Sequence, residues 1–547
     1  MEERTRRIQT YRRGDSEVKR SALAPSLRSL FFSFLFFGGL IACGPPAPDH
    51  LPVEKEEPLR STEELRADLK SDDWQKRSEA VLDIQKQGER AFEADLLRLL
   101  ESDASPAVRQ IAALTLADWQ SRKAVPIIVR LLSRPEIAPG VTVDATFMLD
   151  ALYRMPDASG AAAAAAYLLD NDLNRRLYAV RALEAMQSGG AIVLSMAQRN
   201  TDPEKARALV MALGKLAYRP AESYLKGQLK SPAQTTQAAA ILALGRVKSV
   251  SSVPELVRIL DSDFVKGREN AKEALLDIAM PDTASHVLPL LRSSREETRY
   301  FAAEIAGRLP GRETGEKLLK MFQENDRLTS APAATALGYM KYEPARPAIE
   351  ARLVDRNAAE REALARSLGW IGSRASIQPL IQVLRESDGD GRYGAAWSLG
   401  ILEAEEALPD LEKAANSGDS RLASLAIEAI GSIASPSSLP LLVSRARDPG
   451  VQVFAIDAIG RIPGDQAVQE LQELATGGNE KTAALAVQAL SGRKEPAAVD
   501  ALIATLRKTS TESPLAGQIY AGLHRQTGQR YTTKNQWLQW DEIRKRK

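Results

Sequence analysis

The chain of 547 residues has one cysteine, three histidines and few aromatic residues, which make up 5% of it. A single cysteine excludes an internal disulfide framework and a thiolate metal cluster. His50, His286 and His524 are scattered, whereas metal sites and most acid–base centres draw histidines together. Neither a GxSxG elbow nor a Walker phosphate loop occurs. We therefore expect no catalytic residues, no metal and no cofactor. A dominant charge is missing as well. There are 73 Lys and Arg against 71 Asp and Glu, a net charge of +2, which speaks against a nucleic-acid groove. Ala and Leu dominate and β-branched alternation is absent, so no strands are expected.

What the chain does have is one phrase, many times over. "ALGKL", "ALGRV", "ALGYM", "SLGIL", "AIGSI" and "AIGRI" recur, and "SLGWIG" joins them. The glycines are Gly214, Gly245, Gly307, Gly338, Gly369, Gly400, Gly431 and Gly460. Most steps are 31 residues; one is 62 and the last is 29. A fixed period of this length is the mark of a repeat architecture. Ala279 is assigned to the gap in the series. Asp83, Ala117, Asp150 and Glu184 extend it upstream, and Ser491 and His524 downstream. The array is about fourteen units over residues 61–525.

Each unit reads as helix, turn, helix. A proline falls nine or ten residues after the Gly position, at Pro126, Pro254, Pro289, Pro347, Pro379, Pro409 and Pro440. Proline is tolerated in the first turn of a helix, where its missing N–H had no partner, so it marks the start of the first helix. The glycine lies near the end of the second helix. A glycine in a helix interior costs ~1 kcal/mol against Ala and less near the end, and the return is close approach of the neighbouring helix. One unit cannot bury its apolar stripe alone, so the units form one continuous core.

These residues resemble HEAT repeats. The "AVRQIAALTLA" of 107–117 carries the pattern, and the 31-residue length is closest to the bacterial variety first described in phycobilisome lyases. The resemblance implies an all-α, right-handed α-solenoid with the second helices on the concave side. It says little about function, because such repeats serve many roles. HEAT-repeat hydroxylases use repeated His-Glu pairs. None occurs here, so that activity is excluded.

Residues 27–43, "LRSLFFSFLFFGGLIAC", set an apolar run behind a basic segment and end it at the sole cysteine. The run is short for a membrane span. "LIAC" resembles a lipobox, which implies a lipoprotein-type signal peptide at 1–42 and lipidation of Cys43. An ordinary secretory signal or an uncleaved anchor is the plainer reading. Residues 43–60 are Pro-rich and charged and read as a lipidated Cys with its tether. Loss of residues 1–42 removes eight basic and four acidic residues, and the net charge becomes −2. Gly44 suggests outer-membrane sorting in a Gram-negative host.

Positions −7, −3 and +1 from the glycine share one helix face and avoid the core stripe. They hold Tyr300, Glu304 and Arg308, then Ala331, Thr335 and Tyr339. Glu362, Arg366 and Trp370 follow, and then Tyr393, Trp397 and Ile401. Tyr, Trp and Arg dominate interface energetics, which marks a protein- or peptide-binding stripe. The plainer reading is that these rings fill gaps between layers. Arg109, Arg176, Arg299, Arg361 and Arg392 share position −8 and are expected to pair with turn carboxylates such as Asp103, Asp172 and Asp355. Residues 526–547 break the repeat and resemble a terminal segment of bacterial HEAT arrays. Trp537 and Trp540 are expected to cap the last layer. The whole reads as a non-catalytic, lipid-anchored envelope scaffold that binds a protein. An accessory factor for an enzyme complex and a purely structural spacer are the other readings.

Overall fold

The structure, a computed structural model, describes residues 60–546 apart from 310, 357, 359 and 387. The 1–42 leader, Cys43 and all of the tether except Arg60 lie outside the described residues. Thirty-one α-helices form among the described residues, in an all-α solenoid. Thirty of them pair into fifteen layers, against the about fourteen units read from the sequence. The last helix, Lys534–Arg546, stands outside the pairing.

The layer of residues 374–401 shows how local sequence makes the unit. A 3-10 turn, Arg374–Ser376, leads into the first helix, Ile377–Leu384. A turn then feeds the second helix, Gly391–Ile401. Pro126, Pro254, Pro347, Pro409 and Pro440 all sit in the first turn of a first helix, as their spacing implies. Second helices often open on an Asp that accepts a backbone N–H, as Asp73, Asp144, Asp172, Asp202 and Asp419 do. Most close on a left-handed residue. Lys248, with φ of 56°, donates its N–H to the Gly245 carbonyl at 2.9 Å, and Ser249 donates to Leu244 at 3.0 Å. The same two bonds recur at Lys341 and Tyr342, and at Glu403 and Ala404. This Schellman closure uses carbonyls the helix end would otherwise leave unpaired.

Second helices stack on second helices, and the glycines are where they touch. A Cβ on Gly214, Gly245, Gly338, Gly369, Gly400 or Gly431 would lie 2.5–3.0 Å from a Cα of the next second helix. No side chain fits there. The contacted residues are Ala243, Ala274, Ser367, Ser398, Ala429 and Ala458. Wherever the next layer has its own repeat glycine, the contacted residue lies two positions before it. That rule corrects two assignments. Ala274 puts the repeat position of its layer at Leu276, not Ala279; Ala279 is the left-handed cap that ends the helix, with φ of 37°. Downstream, Gly522 rather than His524 lies against Ser491. With Leu276 in the glycine's place, Val265–Ile278 and Glu296–Arg308 approach less closely than the second-helix pairs on either side.

The buried apolar side chains form two clusters that interleave in the helix Gln234–Arg246: Ile241 belongs to one, Ala243 and Leu244 to the other. A short antiparallel hairpin, Glu136–Ala138 with Val141–Thr142, corrects the expectation of no strands. Its strands are two and three residues long around Gly140, too brief for alternation to register. At the far end Trp537 is fully buried, and its indole N–H donates to the Tyr531 carbonyl at 3.1 Å. Its ring meets those of Tyr531 and Trp540 edge-on, at 5.1 and 5.7 Å. Asp541, also fully buried, accepts from Arg507, Arg544 and Lys545.

Candidate partner-binding face

The second helices Ser330–Tyr339, Arg361–Ile371 and Gly391–Ile401 carry most of the predicted stripe. Their tight stacking brings residues 31 apart in sequence side by side. Tyr339 and Trp370 have ring centroids 4.5 Å apart, and Trp370 meets Trp397 edge-on at 5.4 Å. The Arg366 guanidinium lies over the Trp397 ring at 5.0 Å and donates to Glu362 at 3.2 Å. Four predicted residues thus form one aromatic–guanidinium ladder, and Glu362 holds its cation in place.

Tyr393 joins through a residue the sequence reading missed. Arg421 lies over the Tyr393 ring at 4.1 Å and donates to both Glu362 carboxylate oxygens, at 2.6 and 2.8 Å. Glu362, Tyr393 and Arg421 belong to three successive layers, so the bridge spans 59 residues of sequence. The Tyr393 hydroxyl donates to Asp419 at 2.7 Å. That bond, with burial, raises the Tyr393 pKa. Burial pushes the Asp419 carboxyl up, but the bonds from Tyr393 and from the Leu422 and Arg421 amides outweigh it, and its pKa is lowered. Asp419 is therefore an anion that fixes both the ring and the start of the next helix. Position after an N-cap Asp was the only local signal for Arg421.

Tyr339, Glu362, Arg366, Trp370, Tyr393 and Trp397 are all half-buried. Their inner sides seal the seams between layers while their outer sides stay accessible. Tyr300 is exposed. Glu304 sits in another network, bonded to Lys272 and Arg308.

Three of the five position −8 arginines do something other than the expected ion pairing. Arg109 donates to the backbone carbonyls of Asp103 and Glu101, Arg176 to those of Asp170 and Asn171, and Arg299 to those of Ser293 and Ser294. They close off carbonyls in the turn after each first helix. The Asp103 carboxylate goes instead to Arg77 of the preceding layer at 2.8 Å, and Asp172 caps its own helix. Arg361 does both jobs, donating to the Leu353 carbonyl and, as a fork, to Glu386 at 2.6 and 2.7 Å. Arg392 lies 3.8 Å from Asp419. Among the described residues no cluster of three or more His, Cys, Asp or Glu is placed to hold a metal ion. None of the described helices is long and apolar enough to cross a membrane.

No curated protein matches the chain. Among solved structures it is similar to the karyopherin Kap121p bound to Nup53p, at 12% identity with a TM-score of 0.41 over 89% of this chain and 64% of that one. It is also similar to importin beta, at 13% identity with a TM-score of 0.37 over 84% of this chain and 72% of that one. The chain thus spans less than two thirds of the length of Kap121p. A family model matches directly, over residues 62–141, 190–276, 315–400, 377–453 and 444–516: the chain belongs to the HEAT-repeat proteins.

Proposed function

We propose that this protein is a non-catalytic scaffold of the bacterial cell envelope that holds a protein or peptide partner on the outer side of its aromatic ladder. The observation that carries the reading is Trp370, half-buried between Tyr339 and Trp397. Rigid rings with one open side lose little entropy on binding, and such residues are where interface energy concentrates. The anchoring half of the reading rests on sequence alone: an apolar run ending in "LIAC", with Cys43 as the lipidated residue.

The test is a crosslinking pull-down from intact cells, comparing wild type with a Trp370→Ala/Tyr393→Ala double variant whose fold is checked by circular dichroism. The partner is expected to be lost, or its affinity cut by about 30-fold or more, as for a hot spot of at least ~2 kcal/mol. An unchanged partner set in a folded variant refutes the ladder as the docking site. Labelled fatty-acid incorporation lost in Cys43→Ser tests the anchor separately.

A further inference from the structure

A second feature lies on the same helix face, away from the ladder. Between the second helices Pro203–Lys215 and Gln234–Arg246 runs an open groove of about 210 Å³. Met211 and Leu242 line it with Ala238, and Arg207, Lys215 and Arg246 stand on its rim. Met211 is 50% exposed, one of several large apolar side chains the array leaves open to solvent, and the one that floors this groove. Asn270 of the next layer is fixed there, its side chain donating to the Ala238 carbonyl at 2.9 Å.

Charge gives the groove a direction. Elsewhere in the array exposed cations commonly have a carboxylate beside them, as in Arg295 with Asp263 or Lys266 with Glu269. Among the described residues no carboxylate pairs with Lys215 or Arg246, and Arg207 has only a 3.9 Å contact with Glu204. Three cations thus border an apolar floor with little neutralisation. We infer that this groove is a second docking site, and that its occupant is an acidic amphipathic peptide segment whose apolar side chains rest on Met211 and Leu242 while its carboxylates meet Lys215 and Arg246. Complementary charge would steer the encounter, and burial of the apolar side chains would hold it.

The test pans a phage-displayed library of random peptides of about twelve residues, long enough at ~3.3 Å per residue to cross both helices, against the full chain. Enriched peptides are expected to combine Asp or Glu with Leu, Phe or Met. A selected peptide should bind about tenfold or more weakly to a Lys215→Glu/Arg246→Glu variant, and weaken with added salt. Both residues are exposed, so the variant should fold. Trp370→Ala should leave the selected peptides bound, which separates this site from the ladder. Enrichment without acidic residues, equal binding to the reversed variant, or loss in Trp370→Ala would each overturn the proposal. So would phosphatidylglycerol vesicles, or a second copy of the chain, taking these two cations in place of peptide.

Discussion

Gly245 lies against the Cα of Ala274 so closely that a Cβ on it would come within 2.5 Å of that atom. Adding one methyl group must push two layers apart. Gly245→Ala is therefore expected to destabilise by about 1–3 kcal/mol, although Ala is the better helix former. Gly227, exposed in the first helix Glu222–Gln228, is the control: a methyl group there would meet nothing within 4 Å, so Gly227→Ala should stabilise by about 0.5–1 kcal/mol. Urea midpoints moving in opposite directions would establish the seam; midpoints moving together would refute it.

Arg361 is buried and holds both a backbone carbonyl and the Glu386 carboxylate. Arg361→Met leaves Glu386 with only its 3.7 Å contact to the more exposed Arg356 and should cost up to about 3–5 kcal/mol. Arg361→Lys should restore only part of this, because one ammonium cannot reproduce the fork. The exposed pair Arg312–Glu316 provides the contrast: Arg312→Ala should change stability by only about 0–1 kcal/mol.

Trp537→Ala should cost about 3–5 kcal/mol, and the damage should stay local because layers contact chiefly their neighbours. Hydrogen exchange is the measurement. Amides in 496–546 should lose protection while those in 203–278 keep theirs. Uniform loss along the chain would contradict the layered picture.

Acid should weaken the array. Arg385 lowers the Asp410 pKa through paired hydrogen bonds, and Ser251 and Ser249 lower that of Glu222. For Asp541, burial acts upward, but the bonds from Arg544 and Lys545 prevail and its pKa is lowered too. In the folded chain these carboxyls hold protons less tightly than in the unfolded chain. Their stabilisation is complete above the unfolded values near pH 4, and is lost as pH falls through the lower folded values. Thermal midpoints should be flat above about pH 5 and fall below about pH 4, and Asp541→Asn should flatten that fall.

The repeat was legible because a backbone seam admits only glycine, and a residue demanded every 31 positions leaves a visible period. It failed where the seam is relaxed. Leu276 hid one layer, and the left-handed Ala279 nearby looked like the missing small residue. The ladder was legible in its parts, since Tyr339, Trp370 and Trp397 fall on one face by spacing alone. Arg421 was not, because its bonds to Glu362 cross two layer boundaries that a period cannot reveal. The arginine role was misread for a related reason. Charge suggests carboxylates, while the unmet need at each turn is for donors to bare carbonyls, which carry no sequence mark. Nothing local distinguishes the cations at Lys215 and Arg246 from ordinary solvated ones; only the bare surroundings of the groove do.

The wider seam at Leu276 lies between the groove at residues 203–246 and the ladder at 330–421. Of the second-helix seams between these two surfaces it is the loosest, so a bend between them would centre on it. Rotation there alters the distance between the two surfaces without disturbing either. A partner long enough to touch both would lock that bend at one angle, and the side chain that spoils the glycine pattern would set how far the protein can stretch to meet it.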